Sequence, residues 1–207
     1  MLDASAINDG DGGEIVVWSD ITNPESVTTV GGQLLASGGD KEGDGGHIET
    51  SGFELHVAGI DVDATAIQGE QGLWLLDPFD YTLASSEATA IVTALEAGND
   101  VSISTASSSS SVGSGSVAAS GSESAEAGTI TVSSEINVDS GAGGSLSLVA
   151  DKDIIINASI ISDGSASSKD LTLDSKTGVA INSGASIDWN PGSSSNVFVT
   201  ASDSGGL

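Results

Sequence analysis

Apolar and polar residues alternate along short runs, and Gly, Asp and Ser separate one run from the next. Three such runs follow one another within 43–83, with alternating positions at Ile48 and Thr50, Leu55 and Val57, and Ile60 and Val62. Alternation with a period of two predicts half-buried β-strands. A fourth run, GLWLLDP at 72–78, begins the first pattern again. Three strands and a return to the start predict one turn of a coil.

The same unit recurs along the chain. A Gly-Gly pair before a strand ends at Gly13 and again at Gly46, and the next strand start is Gly72. In the second half the intervals are nearly constant, and the matching positions are Leu146 and Leu148, Leu171 and Leu173, Val197 and Val199, and Ile156 and Ile181. A period of roughly 20–30 residues indicates a repeat architecture. The sequence therefore predicts an all-β fold, a parallel β-helix over residues 1–207.

Three asparagines recur in this pattern, at Asn137, Asn157 and Asn182. Stacked amides at equivalent corners form hydrogen bonds along a repeat axis, as they do in cross-β ladders. We therefore expect a structural asparagine ladder, with a polar ligand row as the alternative.

One segment departs from the alternation and predicts a short external helix near residues 86–97. Ser86 is the expected N-cap, Glu87 suits the first turn, and Gly98 ends the helix. An apolar stripe is formed by Ala88, Ile91, Val92 and Leu95. We expect this stripe to cover Trp74 and Leu76, taken as pointing out of the coil.

Residues 106–127 form a low-complexity Ser/Gly segment with almost no large apolar side chains. Such a composition buries too little surface to order itself, so we predict a loop. Small-residue strands that stack on the rod are the alternative.

The composition restricts the partners. Four lysines, no arginine and 30 acidic residues give a net charge of -26, which argues against binding to nucleic acid or to anionic lipid. No apolar run approaches the roughly 20 residues of a membrane span, and residues 1–13 lack the features of a signal peptide.

Candidate catalytic groups are scattered. Lysines lie beside turn residues, at Lys41, Lys152, Lys169 and Lys176. Asp61 and Asp63 share one face of a strand, as the paired carboxylates of a glycosidase would, but on the outward face we expect them to be solvated. His47 and His56 fall on adjacent strands of one coil, and a metal site of His47 with Asp44 is the weaker alternative to solvated positions. We therefore predict no enzymatic activity and assign no catalytic, cofactor-binding or metal-binding residues.

Two acidic turns, 9–13 (DGDGG) and 40–46 (DKEGDGG), are similar to calcium loops. Neither has the ligand spacing of an EF-hand or of the tandem Gly-Gly-x-Gly-x-Asp repeat. We interpret both as turns, and leave Ca²⁺ binding open.

Several segments together resemble one known family: GGEIVVWSD, GGQLLASGG, GDGGHIETSGFELHVAGIDVDATA, GLWLLDPFDYTL and ALEAGNDVSIST. They are similar to the filamentous haemagglutinin-like exoproteins that Gram-negative bacteria export by two-partner secretion. The resemblance covers most of the chain and is strongest over 12–105. It implies a right-handed parallel β-helix, secreted or held at the bacterial surface, that attaches to host or partner cells through a receptor or glycan.

The family's secretion domain carries Asn-Pro-Asn signatures that an outer-membrane transporter reads. Asn23-Pro24-Glu25 and Asn190-Pro191-Gly192 do not match them. The resemblance therefore implies an internal or distal part of the shaft, with the transporter acting on a region outside it. Two other functions stay open: a glycan-binding or glycan-cleaving β-helix, and the stalk of a contact-delivered toxin.

Overall fold

The computed structural model describes residues 1–105, 128–162, 170–189 and 195–201, together with the backbone of two strands within 109–118. The first half contains one helix, α1 (Ser85–Ala97), and the strands β1 (Leu2–Asp3), β2 (Glu14–Trp18), β3 (Val27–Thr29), β4 (Gly32–Leu35), β5 (His47–Gly52), β6 (Glu54–His56), β7 (Ile60–Asp63), β8 (Leu73–Pro78) and β9 (Tyr81–Leu83). The second half contains β10 (Asp100–Ser104), β11 (Ser109–Val112), β12 (Gly115–Ala118), β13 (Ile130–Val132), β14 (Ile136–Val138), β15 (Leu146–Ala150), β16 (Asp153–Ile156), β17 (Ile160–Ser162), β18 (Leu171–Ser175), β19 (Gly178–Ile181), β20 (Ile187–Trp189) and β21 (Val197–Ala201).

The strands form a parallel β-solenoid with three walls. The first wall is a seven-stranded sheet with the order β2-β5-β8-β10-β15-β18-β21. The second wall consists of β3-β6 and of β9-β13-β16-β19, and the third of β1-β4-β7 and of β14-β17-β20. Each turn of the chain visits the three walls in order, and the strands of successive turns pair in parallel. The prediction of a parallel β-helix is confirmed.

The repeat spacing of the sequence matches the observed register. Leu146 pairs with Leu171, which pairs with Val197, and Ile156 pairs with Ile181. The longer repeat intervals at the start of the chain also match the register, because Glu14 pairs with His47 and His47 pairs with Leu73. In-register stacking buries the inward side chain of each turn on that of the turn below, so the core is a set of aliphatic columns.

Glycines at the corners before β5 and β8 close these turns against the end of the third wall. The Gly46 N–H donates to the carbonyl of Ala36 at 2.7 Å, and the Gly72 N–H donates to the carbonyl of Ala64 at 2.8 Å. A β-carbon at Gly46 would overlap the carbonyl oxygen of Gly13 in the preceding turn. The corner therefore needs glycine because the backbones of two turns touch there.

The predicted helix is confirmed, but its predicted place outside the coil is wrong, because it occupies the place of a third-wall strand. It follows β9 and precedes β10, and it packs against β7 on one side and β14 on the other. Two strand spacings of about 4.8 Å separate β7 from β14, and a helix with its side chains is about 10 Å wide. The helix therefore fills the opening that one missing strand leaves in the wall.

The predicted partners of the helix are wrong. Trp74 and Leu76 are fully buried, and they pair in register with Val101 and Ile103, whose side chains face the core. They therefore point into the coil, and Leu73 and Leu75 point outward. The run LWLL has apolar residues at every position, so the sequence of β8 alone gives no phase.

The helix ends are partly as predicted. Gly98 ends the helix with a positive φ of 105°, and Glu87 lies in the first turn. The N-cap, however, is Ala84, without a side-chain cap. The Ser86 hydroxyl donates to a carboxylate oxygen of Glu87 at 2.8 Å instead of capping the backbone.

The asparagine ladder is confirmed for two of its three members. The Asn182 Nδ2 donates to Oδ1 of Asn157 at 2.6 Å. Asn137 lies in β14 on the third wall and pairs with Ile161, so it is not in that column. The prediction for Asn137 is wrong because a shared Ile-Asn dipeptide does not distinguish one wall from another.

Most of the predicted low-complexity loop, 106–127, lies outside the described residues. Within it, β11 and β12 pair antiparallel with each other. The described part of the chain contains no helix with the length and hydrophobicity of a membrane span.

Candidate functional site

The two acidic turns lie one above the other and hold the first turns of the solenoid together. The Asp44 N–H donates to Oδ1 of Asp11, and the Glu70 N–H donates to Oδ1 of Asp44, each at 2.8 Å. Each carboxylate thus accepts a backbone N–H of the next turn. The described residues contain no group of three or more His, Cys, Asp or Glu side chains placed to hold a metal ion.

A second column of the same kind runs along the later turns. The Ser145 N–H donates to Oδ1 of Asp100, and the Asn196 N–H donates to Oδ1 of Asp170, both at 2.8 Å. These acidic residues therefore serve as acceptors for backbone groups at the corners. Some of the acidic residues that give the chain its negative charge therefore stabilise the fold.

We expect Asp100→Ala to lower the free energy of unfolding by about 1 kcal/mol, because the Ser145 N–H loses its acceptor. Urea unfolding measures the change. Asp174→Ala is the matched control on the same wall, since the Asp174 carboxylate accepts no hydrogen bond from the described residues, and it is expected to change stability by less than about 0.5 kcal/mol. Equal effects of the two substitutions would contradict the role of the corner carboxylate.

The structure does not bring the two histidines together. His47 lies on the first wall and His56 on the second, where His56 Nε2 is 2.8 Å from Oε1 of Glu54. Asp61 and Asp63 share the outward face of β7, as predicted, and each has a polar partner: Gln33 contacts Asp61, and Thr65 donates to Asp63.

The lysines are separated along the solenoid. Lys41 Nζ lies 3.9 Å from a carboxylate oxygen of Asp9, and Lys176 forms an ion pair with Asp151. Lys152 lies in the corner before β16, and Lys169 falls outside the described residues. None of the described lysines lies beside the sites considered next.

A break in the second wall forms a recess on the described surface. Gly52 and Pro78 still pair on the first wall, and the rings of Phe53 and Phe79 stack with centroids 4.5 Å apart. Beyond these rings, β6 and β9 belong to separate sheets. We call the opening between them the seam. It lies between the turn that carries β6 and the turn that contains the helix.

Strand backbone groups face the seam from both of its edges. The N–H of Glu54 and the carbonyl of His56 bond towards β3, so the backbone of Leu55 between them faces the seam. On the other side, the Tyr81 N–H bonds to the carbonyl of Thr129, so the Thr82 N–H faces the seam, whereas the Thr82 carbonyl accepts the Ala84 N–H at 3.0 Å. Open strand edges of this kind are sites where another chain can pair.

Acidic and aromatic side chains line the seam. The groove has a volume of about 380 Å³, and it is lined by Phe53, Glu54, Leu55, His56, Asp80, Tyr81, Thr82, Ala84 and Glu87. Asp80 is held in place because its Oδ1 accepts the N–H groups of Gly128 and Thr129. Burial, and then the nearby charge of Glu87, raise the pKa of the Tyr81 hydroxyl. The hydroxyl oxygen has no hydrogen-bond partner among the described residues.

A second unusual site lies on the outer face of the first wall. Glu49 is fully buried and Asp77 is 4% exposed, although both follow the outward alternation of their strands. Ser51 pairs with Asp77 in register, and its hydroxyl donates to Oε1 of Glu49 at 2.7 Å. Burial, and then the charge of Glu49, raise the pKa of Asp77 to about 7.

The sequence analysis did not identify either the seam or this carboxylate pair. Glu49 and Asp77 are distant in the sequence, and only the register between β5 and β8 brings them near each other. The interval from Gly46 to Gly72 is the same as that from Ser51 to Asp77, so the repeat spacing could have predicted that Asp77 pairs with Ser51. The alternation of apolar and polar residues gives no sign that the pair is buried, because it places both residues on the outward face.

Comparison with family models and with curated proteins finds no match for this chain. The case for a function therefore depends on the fold and on the geometry of these two sites.

Proposed function

We propose that this chain is a structural and adhesive shaft segment of a secreted, surface-exposed bacterial exoprotein. The observation that carries the proposal is the regular solenoid, in which polar side chains at the corners connect one turn to the next. Such a scaffold is stabilised by contacts between neighbouring turns, so it extends without a separate core. The segments that resemble the exoprotein family coincide with Gly-Gly corners and the strands that follow them, which supports the same proposal.

The charge distribution is consistent with a shaft in contact with solvent. The net charge is -26, and among the described residues ion pairs join Lys41 to Asp9 and Lys176 to Asp151. A strongly negative surface keeps a long rod soluble and disfavours association between identical rods.

The seam is the proposed contact site for a receptor or glycan on another cell. It combines the open backbone edge at Leu55 and the N–H of Thr82 with a recess of about 380 Å³. Binding sites in proteins are usually concave and carry a few convergent polar groups. A second recess, of about 480 Å³, lies between the helix and the turn of β14, but it has no comparable break in strand pairing within one wall among the described strands.

A glycan-binding β-helix is the second candidate, and the lining of the seam favours it. The groove places the half-buried ring of Phe53 beside the carboxylates of Glu54, Asp80 and Glu87, whereas the Tyr81 ring is buried beneath it. Rings offer apolar surface to a sugar, and carboxylates accept hydrogen bonds from its hydroxyl groups. We propose glycan binding and not glycan cleavage, because Oδ1 of Asp80 already accepts the backbone N–H groups of Gly128 and Thr129.

Binding of the purified chain to host cells and to a glycan panel tests the proposal. We expect saturable binding that Thr82→Trp reduces at least tenfold, since the indole would fill the seam. Ala180→Trp is the matched control, because Ala180 lies in the same outward column of the second wall, three strands away from Thr82. Failure of the unaltered chain to bind either cells or glycans would contradict adhesion. Equal loss of binding in Thr82→Trp and Ala180→Trp would contradict the seam as the contact site.

A further inference from the structure

Glu49 and Asp77 lie on adjacent strands of the first wall and face the same side of the sheet. Asp77 pairs with Ser51, two residues after Glu49, so the two carboxylates are diagonal neighbours across β5 and β8. Glu49 is fully buried and Asp77 nearly so. Oε2 of Glu49 and Oδ1 of Asp77 are both buried, and neither has a hydrogen-bond partner among the described residues.

No basic group neutralises this pair in the described part of the chain. The described ion pairs involve Lys41, His56 and Lys176, and none of them contacts Glu49 or Asp77. The other titratable side chains on this face of the neighbouring strands are Glu14, His47 and Asp100, all nearer the starts of their strands, and Asp174 lies three strands away on β18. Two like charges buried together without a partner are strongly unfavourable. Some positively charged species must therefore join them when both are ionised.

We propose that Glu49 and Asp77 together bind a divalent hard cation, Ca²⁺, on the outer face of the first wall. Carboxylate oxygens are the ligands that Ca²⁺ prefers, and two carboxylates balance its charge. Oε2 of Glu49 and Oδ1 of Asp77 are the unpartnered ligand atoms, and the Ser51 hydroxyl, bonded to Oε1 of Glu49 at 2.7 Å, is a neutral oxygen next to Glu49. Ca²⁺ takes six to eight oxygens, so water and backbone carbonyls complete the shell.

The position of this site gives the cation a mechanical role. Asp77 is followed by Pro78, and Pro78 pairs with Gly52 at the last rung before the seam. A cation held between β5 and β8 fastens these two turns together where the second wall stops pairing. The ion therefore stabilises the solenoid next to its break.

A shared proton is the competing way to neutralise the pair. Because the pKa of Asp77 in the folded chain is raised above its unfolded value, its protonated form favours folding, and that stabilisation is lost as the pH rises towards and past about 7. In a chelator, stability should therefore fall between pH 5 and pH 8. Ca²⁺ should restore it at pH 8, where the carboxylates are ionised.

Terbium luminescence tests the site on the intact, purified chain. Tb³⁺ replaces Ca²⁺ at oxygen sites, and Trp18, which pairs with Ser51 in register, lies within about 10 Å of Asp77 and can sensitise its emission. In 150 mM salt we expect saturable emission with one ion per chain, displaced by Ca²⁺. Glu49→Gln and Asp77→Asn should each weaken it at least tenfold. Asp63→Asn, in the exposed carboxylate pair on β7, should leave it unchanged.

Two results would overturn the proposal. Emission that is the same in all three variants would show ions on the acidic surface only. A melting temperature that rises on acidification from pH 8 to pH 6 but does not respond to Ca²⁺ would show a shared proton instead. Glu49→Gln and Asp77→Asn each remove a buried charge, so both variants should stay folded, and circular dichroism confirms this. The outcome is independent of adhesion, because no cell or glycan takes part.

Discussion

Trp74→Ala is expected to lower the free energy of unfolding by about 3–5 kcal/mol. The Trp74 side chain is 0% exposed, and it fills the column between Ile48 below and Val101 above. Removing the indole leaves a cavity in a core that has few other aromatic side chains. It also leaves the buried hydroxyl of Thr50 without the Nε1–H donor that lies 3.1 Å from it. Urea unfolding followed by circular dichroism measures the loss.

Trp18→Ala is the control for this prediction. Trp18 lies on the outer face of β2 and is 44% exposed, so its removal should cost less than about 1 kcal/mol. The two substitutions remove the same group from opposite faces of one wall. A larger loss for Trp18 than for Trp74 would contradict the observed phase of β8.

Asn99→Ala is expected to cost about 2–4 kcal/mol, although it removes only one small side chain. The buried Asn99 amide connects the helix end to β7: its Oδ1 accepts the Ala64 N–H at 2.6 Å, and its Nδ2 donates to the carbonyls of Val62 and Ala94. A helix in the wall cannot pair with a strand edge, so this amide replaces the missing ladder bonds. Without it, the Ala64 N–H and the Val62 carbonyl stay buried and unpaired, at about 1–3 kcal/mol each.

Asn182→Ala is the matched control for the amide. Asn182 also bonds through its side chain, to Asn157, but the bond is exposed to solvent. We expect a cost of less than about 1 kcal/mol, because water replaces the lost partner. Thermal unfolding of both variants, with hydrogen exchange at Ala64, distinguishes the two cases. Unchanged exchange at Ala64 in Asn99→Ala would contradict the bridging role.

Much of the fold follows from the sequence because matching residues of successive turns recur at nearly constant intervals. The interval between Leu146 and Leu171 is the register of two strands, and the turn residues between them are the corners. The stop of the helix at Gly98 is also local, since a positive φ there requires glycine. Such features depend on neighbours in sequence or on one repeat length.

The errors arise where a local pattern is ambiguous and the neighbouring turns decide. Four apolar residues in succession do not fix the phase of β8, which is why the prediction for Trp74 fails. Asn137 shares its dipeptide with Asn157 but belongs to another wall. The absence of pairing between β6 and β9, which creates the seam, is a tertiary feature, and so is the burial of Glu49 and Asp77. Neither the seam nor this burial can be predicted from the residue types in the sequence.

Disulfide cross-linking across adjacent turns tests the central claim, that successive turns stack in parallel and in register. The chain has no cysteine, so each introduced pair is the only pair. Ser147 and Thr172 are register partners with outward side chains on β15 and β18. Neighbouring strands bring such Cα atoms to about 5 Å, within the range that a disulfide spans. The pair Ser147→Cys with Asp174→Cys, on the same face but two residues out of register, is the control.

We expect the Ser147→Cys/Thr172→Cys variant to form an intramolecular disulfide rapidly under mild oxidation, with little cross-linking in the shifted pair. The measurement is the mass of the cross-linked peptide after proteolysis. Preferential cross-linking of the shifted pair, or cross-links between chains alone, would contradict the stacked parallel solenoid.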